Sequence, residues 1–190
     1  MTTCPPSARF LMAVSIVSSL GAAAIVEQKA NLPGPSPKTL QAIPLTPEAM
    51  TSIWKQERRQ AEYLAAARSA RQVLVANGCS SKYAEITGRV AVDSRLSARI
   101  VAALVFVESS CRANAVSKKG AVGLVQVNPR VWRYSRRELQ DPYTNLQIGT
   151  RILAGYIRDH GLREGLHRYN GLGDTSDDYS ERVLQAAYHR

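Results

Sequence analysis

Residues 48–76 contain neither proline nor glycine, and they follow directly on a stretch, 31–47, that carries five prolines and a glycine. The two compositions demand different backbones. Proline fixes φ and removes a donor, so 31–47 cannot be one helix and reads as an extended, semi-rigid spacer. The run after it is rich in alanine and places Ile53, Trp54, Tyr63, Leu64 and residues 73–75 as intermittent apolar positions, which predicts a long, partly amphipathic helix over 47–78. Thr46, Pro47 and Glu48 supply an N-cap, a first-turn proline and an acid at the positive helix end; Asn77-Gly78 supplies the stop. Such a helix is either a stalk that meets a partner or a helix packed on the domain that follows it.

Upstream, residues 10–26 are uncharged, lie between Arg9 and Glu27, and read as an export signal. Ala22 and Ala24 offer a small-x-small cleavage site, while the seventeen residues also reach the lower limit of a spanning helix. Residues 1–26 are therefore either a cleaved signal or an inner-membrane anchor, with 27–46 as linker. The expected location is the periplasm, free or anchored facing it, with a secreted or virion-associated protein as the alternative. Cys79 and Cys111 are the two cysteines of the exported part; they pair, or they are two buried free thiols. The net charge of +10 is spread along the chain rather than gathered in a tail. It would favour any polyanion, but the aromatics are not interleaved with basic residues and no zinc-finger or RNP-like spacing occurs, so nucleic acid is not an expected partner.

After Gly78 the pattern becomes one of short helices broken by glycine, at roughly 81–91, 95–109, 119–132, 142–160, 163–170 and 178–189. No alternation is long enough to require a sheet, so the expected fold class is all-α. Residues 101–107 are rich in β-branched side chains, yet Leu96, Ile100, Ala103, Leu104 and Val107 recur at helical spacing, and Asp93 or Ser94 can cap the start. Glu108 closes that apolar helix. Its neighbours partly desolvate the carboxyl, which disfavours the ionised form and suits a group that donates a proton near neutral pH. The plain alternative is a glutamate reaching water at a helix end.

The stretch that follows decides between them. Glu108-Ser109-Ser110-Cys111, then Asn114-Ala115-Val116-Ser117, then the run from Gly120 to Pro129 resembles the ES…NAxS…GAxGLxQ signature of the soluble lytic transglycosylase (SLT) domain family, in order and in spacing. Tyr169-Asn170-Gly171 is similar to the family's Tyr-Asn-Ala-Gly element, and residues 179–183 to its closing Tyr-x-x-x-Val helix. The resemblance covers about residues 80–190 and implies a lysozyme-like helical domain over 79–190. It implies Glu108 as catalytic acid and base, Ser117 on an N-acetyl group, Gln126 at the catalytic subsite, and Gly123, Asn128, Tyr169, Asn170 and Tyr179 in the substrate cleft, with Tyr179 close enough to orient the carboxyl. Gly120 and Gly123 would let the backbone turn and approach a ligand. Val125, Gly171-Leu172 and Cys111 depart from the family's usual methionine, alanine and aromatic, which alters groove shape but leaves the acid in place.

The implied reaction is cleavage of the β-1,4 bond between N-acetylmuramic acid and N-acetylglucosamine in peptidoglycan glycan strands, ending in 1,6-anhydromuramoyl products. A conventional glycosidase needs two carboxylates. Asp174, Asp177 and Asp178 lie in a turn-prone polar stretch and read as capping or solvated residues. The alternatives are a hydrolytic muramidase sharing the same acid, and a wall-binding or assembly protein with a vestigial site. His160, His167 and His189 lack metal-ligand spacing, and no phosphate loop or Gly-x-Ser-x-Gly occurs, so no metal or cofactor is expected. The setting could be a bacterial wall, a secretion machine crossing it, or a phage.

Overall fold

The computed structural model describes residues 46–171 and 178–188. The expected signal or anchor, most of the proline-rich spacer, and Asp174 and Asp177 lie outside them. Among the described residues there are eight α-helices and one 3-10 turn: α1 Pro47–Ala76, the turn Ser81–Tyr83, α2 Ala84–Asp93, α3 Ala98–Ser109, α4 Pro129–Trp132, α5 Arg136–Gln140, α6 Pro142–His160, α7 Leu162–Asn170 and α8 Asp178–Tyr188. The domain is all-α. Two isolated antiparallel bridges, Val116 to Val122 and Val122 to Val127, are the only extended pairings among those residues.

α3 is apolar on every side and is accordingly the axis of the domain, with residues 100–105 buried. α1, α2 and α8 pack around it. Burying a Val or Leu side chain stabilises by about 1.5–3 kcal/mol, so this one helix anchors much of the core. α1 begins as expected, with the Thr46 hydroxyl accepting from the Ala49 amide at 3.2 Å. Its C-terminal half buries Ala70, Val73 and Leu74, whereas Met50, Ile53 and Trp54 near its start are exposed. Asn77 ends the helix and donates to the Ala186 carbonyl at 3.0 Å, which ties α1 to α8. The long helix is thus packed on the domain through its second half.

Three expected boundaries are corrected. No helix spans 119–132: Gly120, Gly123 and Gln126 all have positive φ (85°, 87° and 49°), which breaks a right-handed helix three times, and helix resumes only at Pro129. α3 starts at Ala98, not at 95, because Arg95 is left-handed (φ 56°) and separates it from α2. Asp93 and Ser94 therefore end α2 rather than cap α3; the Asp93 carboxylate accepts from Arg59 and from the Tyr63 hydroxyl at 2.7 and 2.8 Å, holding α1 to the end of α2. α5 has no counterpart among the helices expected from sequence, although Ser135 and Glu138 form a capping box at its start.

Candidate active site

Glu108 stands on the last turn of α3, half-buried at the edge of an open cleft. The chain leaves α3 through two left-handed residues, Ser110 (φ 49°) and Cys111 (φ 63°), and Cys111 is disulfide-bonded to Cys79 with the Cα atoms 6.0 Å apart. Beside the acid, the buried Ser109 hydroxyl lies 2.8 Å from the Leu124 carbonyl and 3.0 Å from that of Val105, joining α3 to the turn that forms the cleft wall.

That wall is residues 115–128. Asn145, on α6 and fully buried, accepts from the Val125 amide at 2.9 Å and donates to the Val122 and Leu139 carbonyls at 2.8 and 3.0 Å. It satisfies the Val125 amide and the Leu139 carbonyl, and it shares the Val122 carbonyl with the Val127 amide. Gly123 is required against it: a Cβ there would sit 2.3 Å from Asn145 Nδ2, in a backbone conformation (φ 87°) that side chains disfavour. The Tyr169 hydroxyl, from α7, donates to the Val125 carbonyl at 2.7 Å. Gly149 leaves room for this pair, since a Cβ would meet the Val125 side chain at 2.3 Å and the Tyr169 hydroxyl at 2.7 Å.

The cleft has a volume of about 440 Å³ and is lined by Glu108, Ser117, Gln126, Asn128, Tyr169 and Asn170, joined by Trp132 and Tyr156. Six residues expected at the site from sequence therefore meet in one hollow. Gly123 and Tyr179 do not line it: Gly123 is buried within the wall and Tyr179 is buried beside Glu108. They act from there because the glycine is pressed on Asn145 and the tyrosine fills core space between α8 and α3. The Ser117 hydroxyl accepts from the Ala121 amide at 3.0 Å, so its own proton is available to an acceptor in the cleft. Gln126 donates to the Gly123 carbonyl at 2.8 Å, and Asn128 caps α4 by accepting from the Arg130 amide at 3.0 Å. The sequence pattern does not mark Trp132, Tyr156 or Asn145: Trp132 falls within the helix expected over 119–132, and Asn145 shows no signal except a polar residue on the apolar face of α6.

The Tyr179 hydroxyl donates a hydrogen bond to Glu108 Oε1. Burial pushes the Glu108 carboxyl above the ordinary carboxylate range, and it outweighs the opposing pull of the Tyr179 hydrogen bond and of the Arg182 charge. Tyr179 and Tyr169 are pushed well above the ordinary phenol value by burial first and by the neighbouring Glu108 charge second, so both stay protonated and act as donors. Arg182 lies one turn from Tyr179 with its guanidinium 5.6 Å from the ring centroid. Among the described residues Glu108 is the one carboxylate lining the cleft. The arrangement is a protonatable acid, oriented by a neutral donor, facing a groove of hydroxyl, amide and aromatic groups.

A helical domain with a partly desolvated acid at the end of its central helix is of the lysozyme-like class. The family described as "Transglycosylase SLT domain" matches residues 87–185, more than half of the chain, and the chain belongs to that family. It is 37% identical over 83 residues to the endo-type membrane-bound lytic murein transglycosylase A of Cronobacter sakazakii (strain ATCC BAA-894), covering 37% of this chain and 40% of the relative. It is 35% identical over 83 residues, with the same shares, to the protein of that name from Enterobacter sp. (strain 638). The match thus spans 40% of the length of these curated relatives.

Proposed function

We propose that this chain is a peptidoglycan lytic transglycosylase that cleaves the β-1,4 bond between N-acetylmuramic acid and N-acetylglucosamine. The observation that carries the reading is the half-buried Glu108, held above the usual carboxylate range and bonded by Tyr179 in a cleft whose described lining has no second carboxylate. One carboxyl with a raised pKa suits a reaction in which the same group gives and then takes a proton. Glu108, protonated, passes its proton to the glycosidic oxygen as the bond from the muramoyl C1 breaks. The substrate's N-acetyl group stabilises the electron-poor C1. The carboxylate then accepts the proton of the muramoyl C6 hydroxyl as that oxygen bonds to C1. No water is consumed, and Glu108 ends protonated.

Ser117, Gln126, Asn128 and Asn170 are suited to the hydroxyl and N-acetyl groups of an aminosugar polymer, and Trp132, Tyr156 and Tyr169 to its pyranose faces. Tyr179 is a positioning residue for the acid, and the Cys79–Cys111 bond steadies the turn after it. The membrane-bound relatives support an exported enzyme acting in the periplasm, with residues 10–26 as signal or anchor. Peptidoglycan digestion tests the reading: Glu108→Gln keeps the shape and removes the titrating group, so fragment release should cease while the far-ultraviolet circular dichroism spectrum is unchanged. Turnover retained by that variant would overturn it.

A further inference from the structure

Between residues 118 and 137 the chain carries six cationic side chains, Lys118, Lys119, Arg130, Arg133, Arg136 and Arg137, and no carboxylate. All six are exposed, and among the described residues none belongs to an ion pair. The next acids, Glu138 and Asp141, are engaged in capping α5 and α6. The cations have no evident structural duty, since the turns they occupy are capped by Asn128 and Ser135. The same stretch forms one wall of the cleft through Lys119, Gln126, Asn128, Val131 and Trp132. Arg168, which also lines the cleft, is paired with Glu164 at 2.7 Å. Unneutralised positive charge is therefore carried by the segment that forms this rim of the cleft, with Lys119 lining it and the other five near lining residues in sequence.

We propose that this rim binds the carboxylates of the stem peptides carried by the muramoyl residues, so that peptide-substituted strands are its preferred substrate. The proposal rests on the reading of the chain as a glycan-cleaving enzyme. The sugar rings offer hydroxyl and N-acetyl groups, which the polar and aromatic cleft already suits and which gain little from six exposed cations. The anionic groups of the polymer are on the stems, which branch from the muramoyl units and leave the groove over its edge. Several dispersed cations match a flexible, multiply charged branch better than one buried pocket would. Attraction of this kind speeds encounter and lowers KM, and it is screened by salt over a Debye length of about 10 Å at 0.1 M.

The test compares two substrates from one phosphate-free peptidoglycan preparation: native material, and material whose stem carboxylates have been converted to neutral amides. At low salt the full-length protein should show a KM about five- to tenfold lower for the native substrate, as expected for about three exposed charge pairs, and added salt should erase the difference. The triple variant Arg130→Gln/Arg136→Gln/Arg137→Gln should bring the two KM values together with kcat and melting temperature unchanged. Equal KM values for the two substrates with the native protein would overturn the proposal while leaving the glycan-cleaving reading intact; cleavage of neither substrate would instead overturn that reading. A triple variant that loses binding to vesicles of phosphatidylglycerol, with its substrate preference intact, would assign the rim to a lipid surface and also overturn the proposal.

Discussion

Replacing Asn145 by alanine removes three hydrogen bonds at once, because this buried side chain is the partner of the Val125 amide and of the Val122 and Leu139 carbonyls. A buried backbone group left without a partner costs about 1–3 kcal/mol. The Val122 carbonyl keeps the Val127 amide, so two groups lose their partner; water entering the vacated space favours the low end, and the total is about 2 kcal/mol. For a domain of this size each kcal/mol lowers the melting temperature by about 2–4 °C, which gives a fall of about 6 °C. Below the transition, activity should also drop, since the freed Val125 amide belongs to the turn bearing Gln126. Thermal unfolding by circular dichroism, with peptidoglycan turnover measured well below the new midpoint, checks both parts. A midpoint within about 2 °C of the native protein's would refute the assignment of Asn145 as the clamp of the cleft wall.

Three other perturbations have definite signs. Glu108 holds its proton more tightly folded than unfolded, so the native protein loses stability as pH rises from the ordinary carboxylate value through the raised one; Glu108→Gln should melt higher than the native protein at neutral pH, with the gap closing in acid. In Tyr179→Phe the hydrogen bond that opposes burial is lost, so the alkaline limb of the kcat/KM profile should move to higher pH while kcat falls. Breaking the Cys79–Cys111 bond, which closes a separation of 32 residues, should destabilise by about 3–4 kcal/mol in the chain-entropy treatment; the double Ser variant should melt lower than the native protein without reductant and alongside it with reductant.

The central helix is legible in its apolar run, but that run alone fits a glutamate reaching water equally; the motif that follows it marks Glu108 as the candidate acid and Ser117, Gln126, Asn128, Tyr169 and Asn170 as candidate site residues. The wall carrying three of these was not legible as structure. Its glycines signal turns but not the path between them, because the conformation depends on Asn145, which comes to it from α6, 20 residues from Val125 in sequence. The helical pattern over 119–132 gives Trp132 no separate signal, and the five residues of α5 are too few to show periodicity, although Ser135 and Glu138 mark its start. Asp93 looked like a cap for α3; only the approach of Arg59 and Tyr63 from α1 shows why it serves elsewhere.

The proposal that Glu108 alone performs both proton transfers is tested most directly by the chemistry of the new chain ends. Peptidoglycan digested by the full-length protein in heavy-oxygen water and examined by mass spectrometry should yield fragments with 1,6-anhydromuramoyl ends, one water lighter than the reducing-end species and free of label. Reducing ends carrying heavy oxygen at the muramoyl C1 would show that water, not the C6 hydroxyl, attacks, and would contradict it.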